Sequence, residues 1–132
     1  MIKSFLSVGY RPAFAYVAFG GEVSHWWTKF LKKGFYHCFL IFGNGREWYI
    51  IDPLIHFTDL IIVKTQNIEH FFKEKGYILV RTTPTVPNKI KLSLRPCTCV
   101  ETVRRFLGVQ DKKIWTPYQL FCFLMKKKEN NP

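Results

Sequence analysis

The chain has 132 residues, 48% of them apolar and 17% aromatic, with thirteen Phe and four Trp; this is the composition of one packed domain and argues against a disordered segment or two domains. Twenty Lys and Arg against nine Asp and Glu leave a formal charge of +11, a field that draws polyanions such as nucleic acid, teichoic acid or anionic lipid without choosing among them. No run approaches the ~18 consecutive apolar residues that a membrane-spanning helix requires.

The basic residues are spread over the chain, at Lys32 and Lys33, Lys73 and Lys75, Lys89 and Lys91, Arg104 and Arg105, Lys112 and Lys113, and Lys126 to Lys128. A solvated surface accounts for that spacing as well as a polyanion site does. The four cysteines, Cys38, Cys97, Cys99 and Cys122, have no C-x-x-C spacing, so neither a metal site nor a disulfide framework is expected. No cofactor is indicated. The first twenty-one residues place Arg11-Pro12 where a signal peptide needs its apolar core, so the expected location is the cytoplasm of the producing cell or a virion.

In chain order, residues 13–20 (AFAYVAFG) alternate poorly but are strand formers, and they predict a buried strand that turns at Gly20-Gly21. A short helix is expected after Ser24, with Trp26, Trp27, Phe30 and Leu31 as its apolar stripe and Gly34 beyond its end. Residues 37–42 (HCFLIF) and 47–52 (EWYIID) flank Gly43-Asn44-Gly45 and predict a hairpin with a two-residue Asn44-Gly45 turn. A strand near 59–64 follows. Residues 68–75 then predict a helix ended by Gly76, and 77–82 another strand. Two prolines make 83–88 a loop, and the alternation in 89–94 (KIKLSL) predicts one more strand. A helix begins at Cys99 with Val100, Val103, Phe106 and Leu107 on one side and Gly108 as terminator. Thr116-Pro117 opens a final helix that runs to the Lys126 to Lys128 cluster. Residues 1–128 read as a single domain and 129–132 as a frayed tail.

Chemistry concentrates in two places. Thr98-Cys99-Val100-Glu101 has the T-x-x-E form of a capping box, which makes Cys99 the first helical residue. There the unpaired backbone N–H groups and the positive end of the helix dipole favour thiolate over thiol. By itself a cysteine at a helix start is more often a small buried hydrophobe. The second place is the hairpin. A two-residue turn pairs Gly43 with Arg46, Phe42 with Glu47 and, continuing, His37 with Asp52. Opposed residues on an antiparallel ladder share a face with Cβ atoms ~5 Å apart, so Asp52 would orient the His37 imidazole. A helix-end cysteine, a strand histidine and a polar orienter are the nucleophile, base and positioning group of cysteine hydrolases. His25, His56 and His70 are assigned no role. Tyr16, Tyr36 and Tyr49 are expected to be packing residues, and the Cys99 backbone N–H is the better oxyanion donor.

In FYHCFLIF, WYIIDP, RPCTCVETVRRFLGV and WTPYQLFCFL, residues 26–124 resemble the circularly permuted branch of NlpC-type papain-like proteins, which includes lecithin retinol acyltransferase-like proteins and small phage-encoded members. The resemblance implies a papain-like α+β fold, with a mostly antiparallel sheet packed against the Cys99 helix and the C-terminal helix. It implies Cys99 as nucleophile and His37 as base. Asp52 departs from the His, Asn or Gln that the family commonly carries at the third position. The implied function is acyl cleavage or transfer through a thioester, on peptide, peptidoglycan or lipid ester, with a phage-encoded peptidoglycan amidase or peptidase as one form. Two other readings stand beside it: a virion or assembly component that keeps the fold without turnover, with virion proteins as partners, and a basic nucleic-acid-binding module.

Overall fold

The computed structural model describes residues 14–21, 31–43, 45–54, 57–84, 99–111 and 113–130. Five strands, β1 (Ala15–Gly20), β2 (His37–Gly43), β3 (Glu47–Pro53), β4 (Thr58–Lys64) and β5 (Ile78–Thr82), form one sheet in the order β4-β3-β2-β1-β5, and every neighbouring pair is antiparallel. Among the described residues three helices accompany it, α1 (Ile68–Glu74), α2 (Cys99–Leu107) and α3 (Pro117–Asn130). The molecule is therefore a mixed α+β domain with an antiparallel sheet covered by helices.

The poor alternation of β1 has a structural reason. It is paired on both sides and covered on both faces, so all six of its residues are buried and no polar face is needed. Ala15, Val17 and Phe19 join Cys38, Leu40 and Val80 beneath α2 and α3, together with Val100, Val103, Leu107, Leu120 and Leu124. Tyr16 and Ala18 join Phe39, Ile41, Trp48 and Ile50 on the other face, under Ile68 and Phe72 of α1. Each Val, Leu, Ile or Phe side chain buried this completely stabilises the fold by roughly 1.5–3 kcal/mol relative to exposure. Tyr16 ties its face to α1 by donating its hydroxyl to Glu69 Oε1 at 2.7 Å.

The helix ends follow local chemistry. Asn67 caps α1, its side chain accepting from the His70 N–H at 3.0 Å. Beyond α2, Gly108 adopts φ +73°, and the Val109 and Gly108 N–H groups bond Arg104 O and Arg105 O, which is the Schellman pattern. At the start of α3, Gln119 N–H donates to Thr116 Oγ1 at 3.2 Å while Gln119 Oε1 accepts from the Trp115 and Thr116 N–H groups. This reciprocal box adds Gln119 to the cap expected from Thr116 and Pro117. The helix continues through Glu129 and Asn130, two residues into the segment expected to fray.

The hairpin differs from its expected register. Gly43 pairs with Trp48 and Phe42 with Tyr49, so four residues rather than two separate the last pair. Gly45 takes φ +93°, a left-handed conformation suited to glycine, while Asn44 lies outside the described residues. A side chain at position 43 would run into the Glu47 carbonyl oxygen, which explains the glycine there. The expected helix after Ser24 and the expected strand at 89–94 fall outside the described residues, Leu31 apart.

Candidate active site

The corrected register changes how His37 meets Asp52 without separating them. With Leu40 opposite Ile51, continuation of the ladder sets Leu54 opposite His37 and makes Asp52 its diagonal neighbour. A shift of two residues preserves parity, because the side-chain period along a strand is two, and a diagonal neighbour remains within reach of long side chains. His37 Nε2 donates to Asp52 Oδ1 at 2.5 Å, with the two side chains 24% and 23% exposed.

Cys99 is the first residue of α2 and is half-buried against the core beneath that helix. Three donors converge on its sulfur: the Cys38 thiol, the His37 ring and the Cys38 backbone N–H. Alternation along β2 sends Cys38 toward α2 and His37 toward the opposite face with Phe39, whose ring centroid is 6.1 Å away. Both reach Cys99, Cys38 from the face that α2 covers and His37 from the first position of the strand.

The charges follow from these contacts. The Cys38 thiol hydrogen bond draws the Cys99 pKa down; burial opposes it, and the His37 hydrogen bond and positive charge add to it, leaving Cys99 at about 5 against an ordinary 9.0. Burial alone would lower His37, but the hydrogen bonds to Asp52 and Cys99 and the negative charges of both raise it to about 9 from 6.5. Between those values the shared proton resides on the imidazole, and the sulfur is a thiolate. Cys38 is fully buried, and that burial pushes its thiol well above the ordinary value.

The Thr98 half of the expected capping box lies outside the described residues. Glu101 is buried and its carboxylate receives Arg104 at 3.0 Å and Arg105 at 3.4 Å, so it forms a charge cluster on α2 that the apolar stripe did not suggest. His70 pairs with Glu74 at 2.9 Å on the exposed side of α1. Tyr49 stacks on Phe42, as a packing residue should. Tyr118, on α3, is hydrogen-bonded to Cys122, which raises its pKa. Cys97, His25 and His56 lie outside the described residues.

Cys38 is the site residue that sequence reasoning missed. Its signal was present in the His37-Cys38 dipeptide, since strand alternation turns one of two adjacent residues toward each face. Among the described residues, no group of three or more His, Cys, Asp or Glu is arranged to hold a metal ion, and no helix is long and apolar enough to cross a membrane. No protein-family model, no curated protein and no solved structure matches the chain. The class is thus defined by fold and contacts: an antiparallel α+β domain with a cysteine, a histidine and an aspartate in hydrogen-bonded succession.

Proposed function

We propose that the chain is a papain-like cysteine hydrolase or acyltransferase in which Cys99 is the nucleophile, His37 the acid and base, and Asp52 the group that orients His37. The observation that carries this reading is the His37 ring held between Asp52 Oδ1 and the Cys99 sulfur. Nε2 is engaged by the carboxylate, which leaves Nδ1 to exchange a proton with the sulfur and the leaving group. The thiolate attacks an acyl carbon, and the tetrahedral oxyanion is stabilised by the Cys99 backbone N–H at the open end of α2. The imidazolium then protonates the departing amine or alcohol, and a thioester remains on Cys99. His37, now neutral, deprotonates water or an acceptor nucleophile, which attacks the thioester and releases the acid or the transferred acyl product. A permuted NlpC-type topology and a peptide or peptidoglycan amide as substrate, in a phage-encoded enzyme, are the finer form of this proposal.

Acylation tests it. Incubation with an activated acyl ester such as a p-nitrophenyl ester should place one acyl group on Cys99, located by peptide mass mapping, with release of p-nitrophenol. Cys99→Ala should lose both signals. Acylation of another cysteine, or none, overturns the reading.

A second reading, an assembly component, is favoured by one specific feature. Strand β4 lies at the sheet edge and exposes Leu60, Ile61 and Ile62. Hydrogen bonds from Leu54 N–H to Phe57 O and from Thr65 N–H to Arg46 O set the phase of the β3–β4 ladder, so Thr58, Leu60, Ile62 and Lys64 direct their backbone groups to the open edge. Such an edge is a template for a further strand.

A further inference from the structure

Cys38 has no step in the acyl-transfer sequence, although its side chain is completely buried and lies 3.8 Å from Cys99. The adjacency is produced by two regular elements: Cys38 is the second residue of β2 and is paired there with Phe19 of β1, and Cys99 is the first residue of the helix packed on that strand. A disulfide requires sulfurs ~2 Å apart, so side-chain rotation and a small movement of the helix end would close the gap.

We propose that Cys38 is the resolving thiol of Cys99, so that a hydroperoxide converts the site to a Cys38–Cys99 disulfide and thereby switches it off reversibly. The inference rests on Cys99 being the reactive nucleophile of the proposed hydrolase, and it adds regulation to that site. The first step forms a bond from the Cys99 thiolate to the terminal peroxide oxygen and breaks the O–O bond. The His37 imidazolium protonates the departing oxygen, water or an alcohol leaves, and Cys99 becomes a sulfenic acid, oxidised by two electrons at the expense of the peroxide. In the second step the Cys38 sulfur attacks the Cys99 sulfur while the Cys38 thiol loses its proton to the departing oxygen. The S–O bond breaks, the S–S bond forms, and the hydroxide takes that proton to leave as water. Overall two thiols and one hydroperoxide give a disulfide, water and the reduced peroxide product.

The division of labour follows from burial. Cys99 is partly exposed and meets the oxidant, whereas Cys38 is fully buried and kept as a thiol by its raised pKa until a sulfenic acid forms beside it. Attack from 3.8 Å also competes with a second peroxide, whose reaction would carry Cys99 to the irreversible sulfinic acid.

The test treats the full chain with a molar excess of hydrogen peroxide, since each step from thiolate to sulfonic acid consumes one peroxide, and maps disulfides by mass spectrometry of unreduced digests. The expected product is a Cys38–Cys99 crosslinked peptide, with Cys99 alkylation lost and then recovered after dithiothreitol. In Cys38→Ser and Cys38→Ala, Cys99 should instead pass to sulfinic and sulfonic acids, and dithiothreitol recovery should fall to background; near-ultraviolet circular dichroism verifies that each variant keeps its packing. If a variant unfolds, the crosslink map of the parent chain decides alone. A parent chain that gives sulfinic Cys99 without the crosslink, or a crosslink to Cys97 or Cys122, overturns the proposal. Failure of the hydrolase reading is a separate result, seen as absence of Cys99 acylation in the untreated, reduced protein.

Discussion

Strands β2 and β4 are both seven residues long, and both are dominated by apolar side chains, yet they live in opposite surroundings. β2 lies between β1 and β3, with Cys38, Phe39, Leu40 and Ile41 fully or almost fully buried. β4 is an edge strand, and Leu60 and Ile62 are 63% and 58% exposed. The difference teaches that apolar content marks a strand but position in the sheet determines what that strand can do. The interior strand fixes Cys38 beneath α2 and His37 at its first position, whereas β4, among the described residues, offers unpaired backbone at the sheet edge and an apolar surface.

The largest expected effect contrasts the two strands directly. Leu40→Ala should destabilise the protein by ~2–5 kcal/mol, because its cavity lies in a filled core. Leu60→Ala should change stability by no more than ~0.5 kcal/mol. Urea unfolding of both variants measures this. Comparable losses would mean that β4 is covered in solution, and would shift weight to the assembly reading.

Next in size is the reactivity of the site on β2. In the parent protein, iodoacetamide alkylation of Cys99 should follow an apparent pKa of about 5. His37→Ala removes a hydrogen bond and a positive charge, and a resulting rise of ~2 units in the thiol pKa lowers the rate at pH 6 by ~10-fold, because the sulfur goes from almost wholly thiolate to about one-tenth thiolate. Unchanged reactivity would leave the Cys38 donors and the helix end as sufficient causes. Asp52→Asn should act less strongly and at the other end of the range. His37, at about 9 in the parent, should titrate lower by ~1 unit or more once the carboxylate is gone, which an NMR titration of the imidazole reads.

The smallest effect is on the pH dependence of folding. Cys99 is depressed from 9.0 to about 5, so its contribution is complete above pH 9 and is lost as pH falls through 5. His37 is raised from 6.5 to about 9, so its contribution is complete below pH 6.5 and is lost as pH rises through 9. Above 6.5 the two slopes nearly cancel, because folding moves one proton from sulfur to imidazole without changing their number. Between 6.5 and 5 the unfolded chain binds more protons, so this pair's stabilisation declines toward acid. The difference in urea midpoint between the parent and Cys99→Ala should shrink over that interval, and a constant difference would refute the coupled pair.

Local chemistry made much of this legible in the sequence. The strands at 15–20, 37–43, 47–53, 58–64 and 78–82 and the three described helices were readable from period, caps and terminating glycines, because those signals act within a few residues. His37 and Asp52 were readable as a pair although the turn was expected to be two residues shorter, because strand parity survives a shift of two. Only the tertiary structure decided that Cys99 meets His37 at the beginning of β2, that Cys38 lies against the same sulfur, and that Glu101 and Arg104 are buried together. It also decided that β4 is an edge while β1 is interior. These facts depend on which helix covers which strand, a choice made by long-range packing between segments whose local signals are alike.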